Sequence, residues 1–254
     1  LYQTLSEKHG VQIVYEPSAD CDVFFFGQTG RGPAADSAQY SIDDMRKISS
    51  LNPASPMVMR QVNLRRHSSH NSFLTYLMNR KDRLQDDLSR HAAAQCDYHI
   101  YQSAYQKSFF RKFGVNTINH IIIHNGASSE FSEFHGGIAR WRTGDTLKIF
   151  SSSFSTKESK NHHLIADMSV MENVIINHAG PWPETIDRKN VNLVGTLGHK
   201  EIAAHYRNSH YLYHPGIKES CSNSVIEELS MGLPVLYGAG PGSSGEIVKC
   251  NGMA

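Results

Sequence analysis

The sequence predicts an α/β fold with mainly parallel sheets. Strand-length apolar runs alternate with segments of helical period along the whole chain. The stretch 211–237 reads as one complete strand, polar loop, helix and strand. Apolar runs such as Val23-Phe24-Phe25-Phe26 and Ile121-Ile122-Ile123 are of strand length, well short of the roughly 18 residues of a spanning helix.

Taken in order, the first half offers strands at 11–15, 22–26, 57–62, 97–101 and 120–124. Helices at 1–9, 42–51, 72–95 and 104–113 fall between them. The second half repeats the alternation, with strands at 147–151, 172–176, 191–194, 210–214 and 234–237 and helices at 161–168, 200–208 and 223–231. The polar, turn-rich stretch Asn125-Gly126-Ala127-Ser128-Ser129-Glu130-Phe131 and the pair Gly136-Gly137 separate the halves. Two domains are therefore expected, 1–135 and 136–254. In open sheets of this kind ligands bind at the carboxyl ends of the strands.

Composition narrows the function classes. With 39% hydrophobic and 19% charged residues the chain suits a soluble protein, and a net charge of +1 gives no global pull towards nucleic acid or an anionic membrane. Cys21, Cys96, Cys221 and Cys250 are scattered without metal spacing, which suits free thiols in a reducing compartment, so a cytoplasmic location is expected. Cys221 reads as a small buried side chain, not a nucleophile. Among 15 histidines, His67-Ser68-Ser69-His70 and His162-His163 lack a carboxylate set or helical i, i+4 pairing, so solvated or hydrogen-bonding roles are expected and no metal site. Asp20-Cys21-Asp22 precedes its strand and reads as a loop.

The richest segment is His214-Pro215-Gly216-Ile217-Lys218-Glu219-Ser220-Cys221-Ser222-Asn223, leading into a helix that Gly232 and Pro234 stop. Ser220, Ser222 and Asn223 are good N-cap residues. The positive end of the helix dipole and its free N–H groups favour a phosphate in the loop. Glu219 precedes the helix and Glu227 lies about one turn inside it. Carboxylates accept hydrogen bonds from hydroxyls, so a sugar, a diphosphate and a ribose in sequence would suit the pair.

Two glutamates with seven residues between them, followed by Gly232-Leu233-Pro234-Val235 and then by Gly240-Pro241-Gly242-Ser243-Ser244-Gly245-Glu246-Ile247-Val248, resemble the donor site of the family-4 retaining glycosyltransferases. Upstream, Cys96-Asp97-Tyr98-His99-Ile100-Tyr101-Gln102-Ser103 and the Asn125-Gly126 strand end resemble the same family. The resemblance spans roughly 57–254. It implies the GT-B fold, two facing Rossmann-like domains with an inter-domain cleft, and transfer of a hexose from a nucleoside-diphosphate sugar to a glycan or lipid-linked acceptor. It further implies that Glu219 holds the sugar, Glu227 the ribose and Lys160 the diphosphate, with Ser222, Asn223 and Ser244 on the phosphate side. The family's loop ends in Lys-Gly, matched by Lys160-Asn161. The family's arginine has no clear counterpart, and Ser155 or Lys157 stands in its neighbourhood. No cofactor or metal is implied; peripheral contact with the inner face of a membrane is, as is a role in polysaccharide biosynthesis. On the acceptor side Arg60, Asn63 and His67 follow a strand of the first domain and are candidates to line the cleft. Relatives begin with a strand that this chain lacks and continue past its end, so a trimmed protein is expected. The alternatives are a non-catalytic donor-binding module or subunit and a GT-B-shaped sugar-nucleotide epimerase.

Overall fold

The computed structural model describes residues 9–14, 16–27, 41–61, 64, 73–116, 118–133 and 140–250, which build two parallel sheets. The first sheet runs in chain order: β1 (Phe24–Phe26), β2 (Met57–Arg60), β3 (Tyr98–Tyr101) and β4 (His120–Ile122). Its crossovers are α1 (Ile42–Leu51), the pair α2 (Phe73–Met78) and α3 (Arg80–Ala93), and α4 (Ala104–Lys112). Right-handed crossovers that always step in one direction leave every helix on one face. Burial follows: Phe24, Phe26, Met57, Met59 and Tyr101 form a core with Met45, Ile48 and Phe110. On the other face Phe25, Tyr98 and Ile121 are exposed. Ser41 starts α1 with a capping box, its hydroxyl accepting from Asp44 N at 3.1 Å while the Asp44 carboxylate accepts from Ser41 N.

A single helical turn, α5 (Ser129–Ser132), leads towards the second sheet. That sheet comprises β5 (Leu147–Ser152), β6 (Val174–Ala179), β7 (Asn192–Gly195), β8 (Tyr211–His214) and β9 (Val235–Tyr237), in the order β7-β6-β5-β8-β9. Its helices are α6 (His162–Met168), α7 (His199–Arg207), α8 (Asn223–Met231) and α9 (Ser244–Cys250). The winding starts in the middle and proceeds outward both ways, so both faces are covered. Phe150, Tyr206, Leu212, Val225, Leu233 and Ile247 fill one side. Ile149, Ile165, Ile176 and Val191 fill the other. Phe131 of α5 is completely buried in the first of these cores, so the stretch that the sequence marks as a polar linker is anchored to the second sheet by one aromatic ring.

The structure differs from the sequence expectation in four places. Residues 11–14 form no strand, and Val11 and Val14 are exposed; Tyr15 and all but the last residue of the expected helix 1–9 lie outside the described residues. The helix expected at 72–95 breaks at Asn79, whose side chain accepts from Asp82 N at 3.1 Å and starts α3 afresh. β6 lies later than expected because the polar pair Asn177-His178 sits inside it, with His178 wholly buried. The turns α5 and α9 were hidden by Ser- and Gly-rich sequence.

His162 is likewise not solvated, although His163 is exposed. Its ring packs edge-on against His178 and Trp182, all three centroid separations falling between 5.1 and 5.3 Å. His162 Nε2 and both ring nitrogens of His178 are buried without a hydrogen-bond partner. Burial pulls both imidazoles down to about 4, helped by the charge of Lys160 near His162 and by His162 itself near His178. Between about 4 and 6.5 the unfolded chain therefore binds more protons than the folded one, so stability is lost as pH falls through that window, by up to about 3 kcal/mol per ring. Urea unfolding at a series of pH values should show this loss, and His178→Phe should flatten it; an unchanged slope in the variant would refute the assignment.

Candidate functional site

β5 and β8 are neighbours from which the chain departs in opposite directions, and such a reversal opens a crevice at the carboxyl ends of the strands. From β5 the chain enters a 3-10 turn, Glu158–Lys160. From β8 it runs through Pro215 and Glu219 into α8. The two loops are tied by Ile217 N donating to Ser159 O at 2.8 Å and by Asn161 Nδ2 donating to Pro215 O at 2.8 Å. Asn161 sits at φ 54°, ψ 44°, a left-handed position that suits asparagine or glycine. That explains why an asparagine serves where the resembled family has Lys-Gly.

This joint brings Lys160 and Glu219 together. The Lys160 ammonium pairs with Glu219 Oε1 and lies 4.4 Å from the centroid of the Phe154 ring. Glu219 Oε2 lies 3.3 Å from His214 Nε2, an ion-pair distance without the alignment of a hydrogen bond. Both members of the Lys160–Glu219 pair are largely buried, at 10% and 16% side-chain exposure. Burial alone would push the Glu219 carboxyl up. The adjacent His214 and the Lys160 charge outweigh it and hold the carboxyl well below the usual range. Lys160, expected at a diphosphate, is thus engaged by Glu219.

A third loop, after β9, closes over the second. Lys218 N donates to Pro241 O at 2.6 Å and Ser243 N to Glu219 O at 3.0 Å. A Cβ on Gly240 would fall 2.4 Å from Ile217 Cγ2, so glycine is required for this approach. The Ser243 hydroxyl is buried there without a partner.

The head of α8 faces the same crevice. Ser222 occupies the N-cap position, yet its hydroxyl makes no cap and lies 3.1 Å from Ser224 Oγ. Asn223 is exposed, and its Oδ1 accepts from Asn125 Nδ2 at 2.7 Å. Ser244 is buried as the first residue of α9, and Lys157 is exposed at the start of the 3-10 turn. Glu227 is half-buried with no donor against its carboxylate among the described residues, and burial raises its pKa. Glu228, beside it, is wholly buried with both carboxyl oxygens unpartnered.

The two sheets meet at this edge. Arg60 Nη2 donates to Asn125 Oδ1 at 2.6 Å, and Asn125 N donates to Cys221 Sγ at 3.3 Å. Burial pushes the Cys221 thiol up, which disfavours the thiolate. The Glu246 carboxylate accepts from Ala104 N at 2.8 Å and Tyr105 N at 3.2 Å, at the head of α4, and lies 3.1 Å from His124 Nε2. Asn63 and His67 lie outside the described residues. Sequence reasoning did not single out His214, the bridging side chain of Asn125 or the reach of Glu246. Each stood inside a quoted motif, but only the fold shows what its side chain faces. Among the described residues no group of three or more His, Cys, Asp or Glu side chains could hold a metal ion.

No protein-family model and no curated protein sequence matches the chain. Solved structures do. Sucrose-phosphate synthase from Thermosynechococcus elongatus superposes with a TM-score of 0.58 at 14% identity over 78% of this chain. Anabaena HepE in complex with UDP-glucose gives 0.54 at 14% identity over 82% of this chain. The fold is GT-B. The chain spans 53% and 59% of the length of those two GT-B chains. HepE in complex with UDP and glucose gives 0.52 at 13% identity over 99% of this GT-B chain and 78% of its own.

Burial and the neighbouring Glu227 carboxylate raise the Glu228 pKa well above the carboxylate range, so folding favours its protonated form. The folded state then binds more protons than the unfolded one above the ordinary carboxylate pKa, and stability declines as pH rises. Glu228→Met should raise the unfolding midpoint, with a gain of about 1–3 kcal/mol that grows from pH 5 to pH 8. A loss that is independent of pH would show that the carboxyl has a partner after all.

Proposed function

We propose that this GT-B chain binds a nucleoside-diphosphate hexose in the crevice between β5 and β8 and transfers the hexose, with retention at the anomeric carbon, to a glycan or lipid-linked acceptor. The observation that carries the reading is the convergence of Lys160, Glu219 and the uncapped head of α8 at the point where the sheet reverses. The N–H groups of the first turn of α8 and the Lys160 ammonium suit a diphosphate. The half-buried Glu227 carboxylate suits the two ribose hydroxyls. Glu219 suits the hydroxyls of the sugar once Lys160 turns to the phosphate. A cation beside the leaving oxygens stabilises the charge that develops there as the glycosidic bond breaks.

Retention and the family-4 assignment rest on the resemblance of the Glu219–Glu227 and Gly240–Val248 motifs. The enzyme reading is supported further by GT-B neighbours solved with UDP-glucose and with UDP and glucose. The acceptor would enter from the first sheet, where Arg60 reaches the crevice edge through Asn125. A second reading, a donor-binding module without turnover, is favoured by one observation: Arg60, Asn125 and Asn223 are already joined into a bridge across that edge.

Calorimetric titration with UDP, GDP, ADP and CDP should show one diphosphate binding, and Glu227→Ala should weaken it by about 1.5–3 kcal/mol, the worth of hydrogen bonds to a charged group. Absence of binding by the folded protein would remove the donor-site reading. Binding without release of labelled hexose from the matching sugar nucleotide, at any acceptor tried, would favour the module.

A further inference from the structure

Arg60 ends β2 at the carboxyl edge of the first sheet and is half-buried. Its Nη2 donates to Asn125 Oδ1 at 2.6 Å, and Asn125 Nδ2 donates to Asn223 Oδ1 at 2.7 Å. Asn223 is the first residue of α8, so the Asn125 carboxamide alone joins the guanidinium to the side chain at the head of that helix. The backbone N–H of Asn125 donates to Cys221 Sγ at 3.3 Å, and the Arg60 charge acts on that thiol, opposing the larger effect of burial. Among the described residues no carboxylate pairs with Arg60. Glu246 and Glu219, the carboxylates that act on the same thiol, are engaged by the head of α4 and by Lys160. Among the described residues the Arg60 fork is thus held by a neutral amide.

We infer that Arg60 is a second cation for the diphosphate of the donor, reaching it from the first sheet across the head of α8 while Lys160 holds it from the second. This rests on the donor reading above. The charges call for such a partner. A diphosphate ester brings more than one negative charge into a crevice that already holds the Glu219 carboxylate, and Lys160 supplies a single positive charge. A cation facing the positive end of a helix dipole is unfavourable unless an anion lies between them. Here Ser222 makes no cap on α8, its hydroxyl lying beside Ser224 Oγ, and carboxamides stand between the helix and Arg60. A phosphate oxygen can accept where Asn125 Oδ1 accepts, so Arg60 exchanges a neutral acceptor for a charged one, and the hydrogen bond strengthens. A guanidinium suits the exchange, because its planar fork offers phosphate two parallel N–H groups and keeps its charge at any working pH. As the sugar departs, the charge left on the diphosphate falls between Lys160 and Arg60.

The test is calorimetry with UDP, GDP, ADP and CDP on the wild-type protein, Arg60→Gln and Arg60→Lys, with the matching nucleoside followed by saturation-transfer NMR. Arg60→Gln should weaken the diphosphate that binds by roughly ten- to a hundredfold, the worth of a hydrogen bond to a charged group, and leave the nucleoside within about twofold of wild type. Arg60→Lys, which keeps the charge and loses the fork, should fall between the two. A diphosphate affinity unchanged in Arg60→Gln would overturn the role of Arg60 and leave the donor site standing. So would a loss shared equally by diphosphate and nucleoside, the mark of a merely structural role. Where Arg60→Gln does not fold, phenylglyoxal labelling of the wild-type protein, read by peptide mapping, replaces it. The bound diphosphate should protect Arg60 and the nucleoside should not; labelling that the diphosphate leaves unaltered would equally overturn the role. No binding of any diphosphate by the wild-type protein would remove the donor reading, and this inference with it.

Discussion

The buried carboxylate of Glu219 is the centre around which the carboxyl edge of the second sheet is organised. Loops from three strands meet on it: the β5 loop supplies Lys160, the β8 loop carries Glu219 itself with His214 behind it, and the β9 loop hydrogen-bonds its carbonyl through Ser243. Stripping one partner from a buried ion pair costs on the order of 3–5 kcal/mol, so these loops hold one another in place. The Asn161–Pro215 and Ile217–Ser159 hydrogen bonds and the Gly240 approach to Ile217 are the backbone side of the same arrangement.

The two sheets serve that centre differently. The second is wound in both directions and buried on both faces, so the loops at its reversal stand on a sheet packed from both sides. The first is wound in one direction and brings its strand ends to the edge of the crevice, where Asn125 and Glu246 join the halves. Glu246 is instructive. Its carboxylate accepts the first two N–H groups of α4, beyond the Ser103 cap that holds Gln106 N, so a side chain of one sheet completes a helix terminus of the other.

Much of this was legible in the sequence where local rules and tertiary packing agree. The α8 unit is the clearest case: Gly232 takes a left-handed conformation at φ 83° and ends the helix at the residue expected, while Val225 and Leu229 are buried on its inner face. Helix α1 also fell on its expected residues because its capping box is a sequence pattern. β6 did not, since a histidine buried between aromatic rings cannot be told from an exposed one by periodicity. The pairing of Lys160 with Glu219 was equally hidden. Fifty-nine residues separate them, and only the adjacency of β5 and β8 brings the two loops together. The spacing of Glu219 and Glu227 drew attention to one loop and helix, and the sheet order explains why a crevice opens beside them.

In the function proposed, this crevice receives a nucleoside diphosphate by exchanging one partner of Lys160 for another. A crystal structure of the protein grown with UDP-glucose tests it most directly. The diphosphate should lie against the first turn of α8, the Lys160 ammonium within hydrogen-bond distance of a phosphate oxygen and no longer on Glu219, and the ribose on Glu227. A nucleotide bound elsewhere, or bound here with Lys160 still locked to Glu219, would contradict it.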